Sequence, residues 1–70
     1  MAYKRLKAFR IMNDVSQREM ASKLNMAIST YNPKENRVGN RDFSVEEAKQ
    51  ICDILGEKFE DIFLTKPYPY

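Results

Sequence analysis

The chain has 70 residues, enough for one domain and too few for two. Hydrophobic residues make up 43% and there are only two glycines, which argues against a disordered chain; no apolar run approaches the roughly 20 residues that span a bilayer. The net charge of +2 conceals an asymmetry: residues 1–41 carry nine Lys/Arg against three Asp/Glu, whereas residues 42–70 carry three against seven. A basic front half suits a protein that turns one side toward a polyanion, although an ordinary solvated surface gives the same count. Cys52 has no second cysteine to pair with, and the N-terminus has no apolar signal core, so a cytoplasmic domain is expected.

In chain order, Leu6 with Phe9 and Ala8 with Ile11 predict a first helix over 3–12 with a broad apolar face, broken at Asn13-Asp14. A second helix over 17–24 has a strong start signal. Ser16 caps it, Glu19 completes a capping box, and Val15 and Met20 are spaced as a hydrophobic staple. Met20, Ala21 and Leu24 form its inward face. A third helix falls between 28 and 38, with Tyr31 on the inward register.

The capping pattern returns before the fourth helix, over 45–55, as Ser44 with Glu47 and Phe43 with Ala48. Val45, Ala48, Ile51, Cys52 and Leu55 mark its apolar face, and Gly56 its stop. Phe59, Ile62 and Phe63 mark a last helix over 58–63. The tail 65–70 contains two prolines and is expected to be non-helical. For Leu64 to Tyr70, packing on a second subunit and fraying both stand as readings. The fold class expected is all-α.

Between the second and third helices only Asn25-Met26-Ala27 remain, which leaves room for nothing but a sharp corner, the helix-turn-helix pattern. Ser16-Gln17-x-Glu19-x-Ala21-x-x-Leu24-Asn25-Met26 resembles the second helix and turn of the lambda-repressor-like, Cro-type regulators. Ser29-Thr30-Tyr31-x-x-Lys34-Glu35-Asn36 is similar to their recognition helix and its exit. Phe43-Ser44-x-x-Glu47-Ala48 through Ile62-Phe63 is similar to their fourth and fifth helices. The resemblance spans about residues 4–64.

It implies a compact five-helix DNA-binding domain over 1–64. The function it implies is that of a Cro-like transcriptional repressor from a phage or mobile element, without a further domain, acting as a homodimer on a double-stranded DNA operator. By position in the family, Ile28, Ser29, Thr30 and Asn32 face bases, Gln17 faces a phosphate, and Arg10 and Glu35 form a partly buried structural pair. Ser29 and Asn32 have the hydrogen-bonding groups for base edges, and Ile28 offers apolar contact or belongs to the core. Asn36, Arg37, Asn40 and Arg41 cluster beyond the helix, where backbone phosphates are their natural partners. Lys34 stands where the family is often apolar, so its stem is expected to pack with its amine reaching out.

Pro33 disturbs this pattern, because proline inside a helix removes a hydrogen bond and costs about 3 kcal/mol. Two readings follow: a kinked third helix, or one that starts late with Asn32 as its cap and Pro33 as its first residue. Asn36-Arg37-Val38-Gly39 is also longer than the Asn-Gly exit usual in the family. A second functional reading is a protein-interaction module, antirepressor- or antitoxin-like, that keeps the fold without reading bases. The chain has no histidine, metal-ligand cluster, phosphate loop or nucleophile motif. No enzyme activity, cofactor, metal, small-molecule ligand or membrane partner is therefore expected.

Overall fold

The computed structural model describes residues 3–63, and the tail 65–70 singled out above lies outside them. Five helices and no strand are present among the described residues: α1 (Lys4–Met12), α2 (Gln17–Lys23), α3 (Ile28–Asn36), α4 (Val45–Leu55) and α5 (Phe59–Ile62). No helix among them is long and apolar enough to cross a membrane.

Starts and stops follow local chemistry. Both capping boxes are formed, with Ser16 Oγ accepting from the Glu19 amide at 3.0 Å and Ser44 Oγ from the Glu47 amide at 3.1 Å. The helix ends share one solution. After α1, α2, α3 and α4 the chain turns through left-handed residues Asp14, Asn25, Arg37 and Gly56. The next amide then folds back five residues: Val15 to Arg10, Met26 to Ala21, Val38 to Pro33 and Glu57 to Cys52, all at 2.9 to 3.1 Å. This arrangement satisfies carbonyls that the helix leaves orphaned. Gly56 adopts φ +67° without strain, whereas Arg37 at φ +54° does so against its Cβ.

α3 runs unbroken through Pro33, so the late start at Asn32 is not what the chain adopts. Ala27 occupies the cap position and gives no side-chain hydrogen bond. The lost proline hydrogen bond falls on the carbonyl of Ser29, an exposed residue where water can replace it. On the inner side, Tyr31 and Glu35 flank Pro33 and are both fully buried, so tertiary anchoring outweighs the local preference.

Leu6, Met20, Ala21, Leu24, Tyr31, Ile51, Leu55 and Ile62 form the core, with Val15, Met26, Ile28 and Phe43 packed around it. Each such apolar side chain contributes about 1.5–3 kcal/mol when fully buried. Three expected core positions fall outside. On α1 the buried pair is Leu6 and Arg10, while Ala8 and Ile11 are exposed, because the helix is rotated to bring Arg10 onto Glu35. On α4 Val45 is exposed, since the capping box sets its first turn beyond the edge of the core. Helices α1, α2 and α5 are slightly shorter than expected. An aromatic group of Tyr3, Tyr31, Phe43, Phe59 and Phe63, with adjacent centroids 5.1 to 6.1 Å apart, closes the corner where the chain enters and α5 leaves.

Candidate nucleic-acid interface

The interior of this region is organised by one carboxylate. Glu35 sits on the inner side of α3 with its side chain only 1% exposed. Arg10 approaches it in a two-pronged geometry, Nε donating to Oε1 at 3.1 Å and Nη2 to Oε2 at 3.2 Å. The third Arg10 nitrogen, Nη1, donates to the Val15 carbonyl at 2.9 Å, tying the α1–α2 corner to the same group. Tyr31 donates its hydroxyl to Oε1 at 2.6 Å, and Gln17 donates Nε2 to Oε2 at 2.9 Å. Burial pushes the Glu35 carboxyl up, but the hydrogen bonds from Arg10, Tyr31 and Gln17 outweigh it and hold the group below its ordinary range. Burial beside the same carboxylate raises the Tyr31 phenol. No buried side-chain nitrogen or oxygen among the described residues lacks a partner. Satisfaction of this kind is what makes a buried charge tolerable.

Outside this anchor, α3 presents Ser29, Thr30 and Asn32 to solvent. Ser29 stands on the far side of the helix from Tyr31 and Glu35, with Thr30 and Asn32 on its two flanks, as a period of 3.6 residues requires. Ile28, for which base contact and core were both open, is half-buried and packs against the core cluster. Ser29, Thr30, Lys34, Asn40, Arg41 and Asp42 together line a cleft of about 370 Å³ between α3 and the loop that follows it.

Gln17 is differently engaged from a residue held ready for phosphate. It is half-buried, one of its donors is spent on Glu35, and its Oε1 accepts from Asn32 Nδ2 at 2.9 Å. It therefore bridges α2 to α3. Asn36 turns its Nδ2 back to the Asn32 carbonyl at 3.1 Å, which supports the last turn of α3.

The cations beyond α3 divide into two kinds. Arg41 is exposed and its side chain makes no hydrogen bond or ion pair among the described residues. Arg37 lies 4.8 Å over the Tyr3 ring and 3.5 Å from Asp42. Lys34 does not reach into solvent. Its Nζ meets both Glu47 oxygens, at 2.9 and 3.1 Å, and so joins α3 to the capping box of α4. Burial raises the Glu47 and Asp42 carboxyls, yet both lie lower than usual. The Ser44 amide and Lys34 do this for Glu47, and the Tyr3 hydroxyl, the Phe43 amide and Arg37 for Asp42. Tyr3 is pushed up to about 12, by burial first and then by its hydrogen bond to Asp42.

Tyr3, Asp42 and Glu47 are thus parts of this surface that the sequence pattern does not reveal. Their partners lie 39, 5 and 13 positions away, and no local spacing rule links such pairs. The sole signal was the change of charge sign that begins at Asp42.

No family model matches the chain, and comparison with curated proteins finds no match.

Proposed function

We propose that the chain is a sequence-specific double-stranded DNA-binding regulator of the lambda-repressor-like kind, with α2 and α3 as its helix-turn-helix and α3 as the reading helix. The observation that carries this reading is the two-sidedness of α3. Tyr31 and Glu35 fix the helix from within, while Ser29 and Thr30 stand exposed next to Asn40 and Arg41, and Asn32 is exposed on the flank that meets Gln17. Short polar side chains on a rigidly held helix are suited to base edges in a major groove, which is wide enough to admit a helix. Asn40 and Arg41, in the loop, are suited to backbone phosphates, which set register without reading sequence. The basic bias of residues 1–41 supports the same orientation. This is a binding activity rather than an enzymatic one, exercised as a Cro-like repressor dimer whose half-sites lie about one helical turn apart.

Mobility shifts test this. A duplex selected from random DNA should bind at least about 1,000-fold more tightly than an unrelated duplex, with affinity falling steeply as salt rises. Equal affinity for all duplexes would remove base reading from the account.

The pairing of Lys34 with Glu47 and of Arg37 with Asp42 favours a second reading, a protein-interaction module on the same fold. Both cations flanking the end of α3 are then neutralised by the chain itself. Stable complex formation with a partner protein, together with no DNA binding at low salt, would select that reading.

A further inference from the structure

An unbroken chain of side-chain hydrogen bonds joins the buried carboxylate to the exposed face of α3. An ionised carboxylate only accepts hydrogen bonds, so Glu35 dictates which end of the Gln17 amide faces it. Nε2 donates to Glu35 Oε2 at 2.9 Å, and the Gln17 oxygen is thereby turned outward, where it accepts from Asn32 Nδ2 at 2.9 Å. Flipping the Asn32 amide would set its oxygen against that of Gln17. Asn32 therefore keeps one N–H committed inward and offers its oxygen and its second N–H on an exposed side chain.

We propose that Glu35 and Gln17 are positioning residues that fix the polarity of the Asn32 amide, so that Asn32 accepts adenine and rejects guanine in the major groove. This rests on the DNA-binding reading above. Adenine presents an acceptor, N7, beside a donor, N6–H, and so matches one N–H and one carbonyl oxygen. Guanine presents two acceptors, N7 and O6, and demands a two-donor edge that Asn32 no longer has. A freely rotating Asn32 could turn its whole NH₂ group toward guanine. The relay removes that option, so discrimination at the surface originates in a charge inside the core.

The test is binding-site selection from random duplexes with the wild-type chain, Gln17→Met and Asn32→Ala. It is followed by affinities on duplex pairs that differ only by adenine or guanine at the position assigned to Asn32. Wild type should favour adenine by about 10-fold or more, a bidentate contact's usual discrimination. Asn32→Ala should lose the preference. Gln17→Met keeps the length of the side chain without its donor or acceptor, and should bring the adenine-to-guanine ratio close to parity. A merely structural or phosphate-contacting Gln17 would weaken both duplexes alike and leave the ratio unchanged, which would overturn the relay. The side-chain amide spectrum of the free protein gives a second readout and reports folding of the variant. One Asn32 N–H should be slow to exchange in wild type and fast in Gln17→Met. Equal exchange in the two proteins would also overturn the relay. Sequence-specific binding with no base preference traceable to Asn32 overturns the inference and leaves the DNA-binding reading in place. Failure to select any sequence overturns both.

Discussion

α2 and α3 pack side by side, yet they are held in helical form by different means. α2 begins with a complete local device, the Ser16–Glu19 box with Val15 and Met20 beside it, and ends through Asn25, a residue that enters the left-handed region readily. α3 has none of this. Its cap is Ala27, its interior holds Pro33, and its exit turns through Arg37. Long-range contacts sustain it instead: Glu35 to Arg10 and Gln17, Tyr31 in the core, Lys34 to Glu47 and Arg37 to Tyr3 and Asp42. The lesson is that the helix proposed to read DNA is specified by its neighbours, and its own sequence works against it.

If so, the largest response should come from cutting its anchor. Glu35→Ala strands the Arg10 charge and leaves Tyr31 and Gln17 without their acceptor, and should cost about 3–5 kcal/mol in urea unfolding. That is enough to unfold much of a domain this small. A loss below about 1 kcal/mol would mean that α3 is held otherwise.

The next effect has the opposite sign. Pro33→Ala should stabilise the chain by about 2 kcal/mol, being the helix-interior penalty of about 3 less about 1 for the greater freedom of the unfolded chain. A destabilisation would show that the ring itself packs usefully.

The exit of α3 calls for a paired comparison. Arg37→Ala keeps the left-handed strain and loses the contacts to Tyr3 and Asp42, whereas Arg37→Gly relieves the strain while losing the same contacts. The glycine variant should be more stable than the alanine variant by about 1 kcal/mol, read from their urea midpoints.

Acid and base should act weakly and at separate ends of the pH range. Glu35, Asp42 and Glu47 have lowered folded-state values, so their contribution is present above about pH 4.5 and lost as pH falls through those values. Tyr3 is raised to about 12, so its contribution is complete below pH 10 and lost between pH 10 and about 12. Thermal melts across pH should show both shoulders with a plateau between; the Tyr31 phenol is raised as well, so Tyr3→Phe should shrink the alkaline shoulder without abolishing it.

The same contrast explains what could be read in advance. Both capping boxes, the left-handed stop at Gly56 and the inward register of Met20, Leu24, Tyr31 and Ile51 are written in spacings of three to seven residues, and the structure has each of them. The exposed positions of Ile11 and Val45 were not legible, because an apolar residue on a helix reads as core until the rotation of that helix is known. Rotation of α1 is set by Arg10 meeting a carboxylate 25 residues away. Within the candidate interface, Ser29, Thr30 and Asn32 stood out by residue type and register. The inward engagement of Gln17 and the pairing of Lys34 and Arg37 depend on side chains brought together only by folding.

The central claim is that the outer side of α3 is the surface that meets DNA. Titrating the labelled protein with a selected duplex while following backbone and side-chain amide resonances tests it most directly. Shifts should concentrate on Ser29, Thr30, Asn32, Asn40 and Arg41, with α4 and α5 little changed. Shifts confined to α4 and α5, or none at saturating DNA in low salt, would contradict it.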